Sequence, residues 1–123
     1  VVGTIKIADG NIEFELHGVD EFLSIKRTIT IPLDHVVSVS TDRVPWQPFK
    51  QTKIVGASLP GVVKDGRFLS TEGVMFFEMH DPDKCITVSL DHETYKKIVF
   101  EVEDKEEAAR QINEALKSAP RSL

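Results

Sequence analysis

Cysteine is almost missing from this chain. Cys85 is alone among 123 residues. No internal disulfide can form, and a lone thiol suits a reducing compartment. CxxC and HExxH spacings do not occur, so the common zinc frameworks are absent. No apolar run approaches the roughly 20 residues that a membrane-spanning helix needs. No charged start leading into an apolar stretch reads as a secretory leader, although the chain opens on Val1 and not Met. A basic patch is missing too, and the net charge is −5. An acidic domain is repelled by phosphate backbones and anionic lipid. Lys26 and Arg27 adjoin, as do Lys96 and Lys97, but neighbours on a strand point to opposite faces. Nucleic acid and a membrane span are therefore not expected, and the expected location is the cytoplasm.

What is present is ordinary for a globular protein: 41% hydrophobic and 28% charged residues. A chain of this length buries roughly two-thirds of its unfolded surface, so it needs neither metal nor disulfide to fold. One domain is expected over residues 1–118, with a tail at 119–123.

Period-two alternation dominates. Ile5 and Ile7 share a face, and Asp9-Gly10 is a tight-hairpin signal because glycine tolerates positive φ. The return strand sets Ile12, Phe14 and Leu16 against Asn11, Glu13 and Glu15. Gly18 to Ile25 reads as a helical turn or packed corner. Arg27 to Ile31 alternates again, and Pro32 ends it by removing a ladder donor. Val36 to Ser40 is a further strand. Asp42 to Leu59 reads mainly as a connection, with a short strand at Thr52 to Val55. Asp65-Gly66 bends or interrupts a strand running from Val62 to Phe68. Val74 to Met79 is apolar on both faces and should be covered on both sides. Cys85 to Leu90 and Ile98 to Val102 complete the strands.

The period changes at Asp104. Asp104 and Glu107 have capping-box spacing, and Ala108, Ile112, Ala115 and Leu116 fall on one helical face. About seven strands in series followed by one helix favour an antiparallel meander. The simplest such architecture is a bent sheet or open barrel plugged by the helix.

The order of elements resembles a pleckstrin-homology (PH) fold, and more narrowly the bacterial PH-like domains of unknown function. The resemblance is carried by Phe22-Leu23-Ser24-Ile25-Lys26, Ile31-Pro32-Leu33-Asp34-His35-Val36, Leu59-Pro60-Gly61, Gly66-Arg67-Phe68 and Phe76-Phe77. It continues at Asp81-Pro82-Asp83-Lys84-Cys85-Ile86, Leu90 and Tyr95-Lys96-Lys97-Ile98-Val99. It implies a mainly β, PH-like barrel of about seven antiparallel strands in two near-orthogonal sheets, capped by one C-terminal α-helix. It implies no reaction and no catalytic residues.

Chemistry-bearing residues are few. His80, Asp81, Asp83 and Cys85, with Asp91, His92 and Glu93 further on, are the best metal candidates, but they flank Pro82, where polar turn residues are expected anyway. Nucleophilic catalysis would pair Cys85 or a serine with a histidine. Asp34 and His35 would diverge on a strand edge, and His17 sits at a strand end. Glu13 and Glu15 read as a solvated face. Phosphate-binding PH domains use basic residues near the first hairpin, whereas here Lys6 is the only nearby cation. Phosphoinositides are therefore not expected. No catalytic residue, metal or cofactor is assigned.

Trp46 and Phe49 sit in a loop bracketed by Pro45 and Pro48, with Arg43 just before it. Aromatic side chains and arginine supply contact area and directional donors at interfaces. The expected function is a non-catalytic interaction module, with Arg43, Trp46 and Phe49 contacting a protein partner. Self-association is expected through edges or uncovered faces, because the strand at Arg27 to Ile31 shows threonines outward and little charge. The alternative is a small-molecule or lipid carrier using the open end of the barrel. An apolar cavity would mark a carrier, and a groove with an unpaired strand edge would mark a module.

Overall fold

The computed structural model describes residues 3–17, 26–43, 52–59 and 63–118, with backbone alone at 16–17, 26–27, 52–59 and 63–65. The packed corner expected at 18–25, and Trp46 and Phe49, lie outside the described residues. Nine strands and one α-helix are found among them: β1 (Thr4–Ala8), β2 (Asn11–His17), β3 (Lys26–Pro32), β4 (Val36–Ser40), β5 (Thr52–Leu59), β6 (Val63–Ser70), β7 (Gly73–Met79), β8 (Cys85–Leu90), β9 (Lys97–Glu101) and α1 (Lys105–Ser118).

The strands form two separate sheets. One has the order β1-β2-β3 and the other β4-β8-β9-β7-β6-β5. The PH-like barrel is thus corrected: neither sheet closes, and the larger one is mixed, because β7 and β9 run parallel. The break between the sheets begins at Pro32. It pairs with Asn11 as the last residue of β3, a 3-10 turn follows at Leu33–His35, and the chain leaves for the other sheet, where β4 pairs with β8. Two strand readings are corrected as well. β5 runs to Leu59, well beyond a short piece at Thr52 to Val55. β6 continues through Asp65-Gly66 without interruption, with Gly66 at φ +120°.

The first hairpin follows its sequence signal. Asp9 (φ 55°) and Gly10 (φ 77°) make the two-residue turn, and Ala8 pairs with Asn11. Ile12, Phe14 and Ile31 point inward from the small sheet. They meet Phe76, Ile86, Val88, Ile98 and Phe100 from the large sheet, together with Ala108 and Ile112 of α1. Phe14 and Phe100 pack edge to face with centroids 5.3 Å apart. The opposite face of the large sheet carries a second buried cluster: Phe68, Met75, Phe77, Met79, Cys85 and Val99. This explains why β7 is apolar on both faces, since a strand buried on both sides cannot alternate.

Helix α1 lies against β4, β8, β1 and the 3-10 turn. Ala108, Ala109 and Ile112 are buried. Asp104 caps the helix, its Oδ1 accepting from the Glu107 amide at 3.2 Å. The reciprocal half of the capping box is not made. Glu107 turns instead to Arg110, accepting at 2.6 and 2.8 Å, and these bonds hold its carboxyl down to about 2.

Candidate functional site

Of the three residues expected to bind a partner, the structure describes Arg43. It follows β4, and its Nε donates to Asp83 Oδ1 at 2.9 Å. Both side chains are 64% exposed, so the pair contributes about 0–1 kcal/mol and opens readily. Trp46 and Phe49 lie outside the described residues.

Asp83 belongs to a well-anchored turn. Pro82–Lys84 form a single 3-10 turn capped by Asp81, whose Oδ1 accepts from the Asp83 amide at 2.9 Å. Beneath the turn lies Glu101, 5% exposed. Its Oε1 accepts from the His80 and Asp81 amides at 2.7 and 2.6 Å. The Val102 amide then donates to the Lys84 carbonyl at 3.0 Å. A buried carboxylate thus satisfies amides that the turn would otherwise leave orphaned. The turn forms one wall of an open groove of about 660 Å³, lined by Asp83, Lys84, Glu103, Asp104 and Lys105. The other wall is the junction of β9 and α1. Cations at Arg43, Lys84 and Lys105 thus stand among anions at Asp83, Glu103 and Asp104. Such a surface suits a polar, mixed-charge ligand better than an apolar one.

The residues weighed for metal do not converge. Asp81 caps its own turn, Cys85 points into the second core cluster, and Asp91 to Glu93 follow the far end of β8. Among the described residues no group of three or more His, Cys, Asp or Glu is arranged to hold a metal ion. Cys85 donates weakly to the Asp81 carbonyl at 3.4 Å, and its partner in β9 is Glu101. Burial, then the charges of Glu101, Asp81 and Glu78, push its thiol up to about 12. That is the opposite of nucleophilic activation.

His35 does not pair with Asp34. Its Nδ1 lies 2.5 Å from Glu93 Oε2, and its ring is 6.0 Å from that of His92. The separation of 58 residues in sequence left no local signal for this contact. In the first hairpin Lys6 stands opposite Glu13, and Glu15 accepts from Thr4 Oγ1 at 3.1 Å. The only cation the sequence placed there is therefore matched by an acid. No helix among the described residues is long and apolar enough to cross a membrane.

Compared with family models, curated proteins and solved structures, the chain matches none. The PH-like resemblance, and the bacterial family it implied, therefore gain no support from a family model and are contradicted by the open sheets.

Proposed function

We propose that this domain is a non-catalytic interaction module that recognises a protein partner or a second copy of itself. The observation that carries the reading is the placement of Arg43. It leads into the Pro-bracketed segment holding Trp46 and Phe49, and it pairs with Asp83 on the rim of a mixed-charge groove. A partner carboxylate can take over the guanidinium at little cost, because the resident pair is exposed and weak. The carrier alternative relied on the mouth of a barrel. The filled space between the sheets, with Phe14 set edge-on to Phe100, favours a surface over a cavity. The reading places the protein in the cytoplasm, where a lone thiol stays reduced.

The test compares capture of proteins from extract of the native host by the wild type and by Arg43→Glu, Trp46→Ala and Phe49→Ala. Lys6→Glu, on the first hairpin, serves as the control. A specific partner should be retained by the wild type and the control and lost from the other three. Arg43→Glu itself should leave stability within about 1 kcal/mol. Identical capture by all five proteins refutes the assignment.

A further inference from the structure

Among the described residues two open sheets present four edge strands, and natural proteins guard such edges. Two of the four are interrupted, and a third is tied down at its end. β4 carries a register shift between Val36 and Ser38, and β5 carries one between Lys53 and Val55. Beyond β1 the chain is already engaged, because the Gly3 amide donates to the Glu101 carbonyl at 3.0 Å. β3 is different. Its register with β2 runs unbroken from Lys26 to Pro32, and among the described residues no strand pairs with its outer edge.

The direction of that edge follows from the ladder. The Leu33 amide donates to the Gly10 carbonyl at 2.9 Å. In an antiparallel pair alternate residues bond to the same neighbour, so Ile31 and Ile29 also bond towards β2. The backbone groups of Thr28 and Thr30 therefore point away from it, and both threonines are exposed. Ile29, between them, is only partly buried against the core.

We propose that a second copy of this chain docks on the outer edge of β3, antiparallel and two-fold symmetric about Ile29, joining the two small sheets into one. This deepens the self-association half of the function proposed above and uses a surface separate from Arg43. In this register Thr28 of one copy faces Thr30 of the other, and the two exchange both backbone hydrogen bonds. Ile29 meets Ile29 in a non-hydrogen-bonded pair, where side chains approach most closely. That contact covers the part of the isoleucine that the core leaves exposed. Lys26 falls opposite Pro32 and Arg27 opposite Ile31, so the symmetry sets no like charges face to face. A proline suits the rim of the interface, since only its carbonyl is needed there.

The experiment is sedimentation of the full chain over a range of concentrations. The wild type should show a reversible monomer–dimer equilibrium. Thr28→Lys/Thr30→Lys places like charges opposite one another and should weaken dimerisation at least about tenfold. Thr30→Pro removes an amide that the monomer does not use and should act in the same direction. Ile29→Cys should give a disulfide-linked dimer on mild oxidation, whereas Thr28→Cys should not, because its symmetry partner is Thr30. A wild type that stays monomeric, or a dimer unaffected by both threonine variants, overturns the proposal. Arg43→Glu should leave the dimer intact. Loss of partner capture in that variant with no dimer in the wild type would sink the β3 edge and spare the Arg43 reading, and the reverse pattern would do the opposite.

Discussion

Cys85 should behave as a thiol that the fold keeps protonated. It is fully buried, and its pKa rises from an ordinary 9.0 to about 12 through burial and the nearby charges of Glu101, Asp81 and Glu78. At pH 8 this lowers the thiolate population about a thousandfold, before any loss of access is counted. Reaction with an aromatic disulfide reagent at pH 8 should therefore proceed only through opening of the structure. It should be at least about a thousandfold slower than in urea-unfolded protein. Linkage gives an independent reading. Below about pH 9 the thiol is protonated in both states and contributes no pH dependence. Between about 9 and 12 the unfolded chain loses the proton while the folded chain keeps it, so stability falls as pH rises, by up to about 1.4 kcal/mol per pH unit. The quantity to measure is the difference between wild type and Cys85→Ala in urea unfolding from about pH 8 to 10.5, which cancels what the two proteins share. The variant should lose the part of the slope that belongs to the thiol, whatever constant offset it carries. Equal labelling rates in native and unfolded protein, or parallel pH profiles for the two proteins, would refute the reasoning.

Two further substitutions probe the packing that holds the sheets together. Ile112→Ala, at a fully buried site on α1, should cost about 2–5 kcal/mol in urea unfolding, and a loss below about 1 kcal/mol would mean that the helix is not seated on the sheets. Gly3→Ala would drive a Cβ into the Phe100 ring, so the ring must shift against Phe14. A loss of about 1–3 kcal/mol is expected, read as a lowered melting temperature, and an unchanged value would contradict that close approach.

Much of the local structure was legible because its signals are short-range. Asp9-Gly10 specifies a turn that reverses the chain within two residues, and the structure has it there. The apolar runs on both faces of β7 announced burial on both sides, and two clusters provide it. Pro32 was read as a strand end, and its consequence is larger than that: it is where the chain leaves one sheet for the other. Strand partners were not legible in the same way. Period-two alternation says which face of a strand is buried, never which strand lies beside it. Nothing local tells β9 to enter between β7 and β8 and run parallel to β7. A meander was the simplest order, and both that order and the resemblance of elements led to a barrel.

The candidate site shows the same division at closer range. Arg43 was singled out for its residue type and its proline-rich surroundings, which are properties of the chain. Its partner Asp83 was weighed as a metal ligand and, beside Pro82, as an ordinary turn residue. What decides between those roles is Glu101. This carboxylate, reached through β9, takes the amides of His80 and Asp81 and so fixes the turn. With the turn anchored, Asp81 is spent as its cap, Cys85 is held inward with its proton, and Asp83 is left on the surface facing Arg43. A buried acid thus converts a stretch that reads locally as ligands into the rim of a groove. The strand order that places Glu101 beside Cys85 is the one feature that no window of sequence around Pro82 contains.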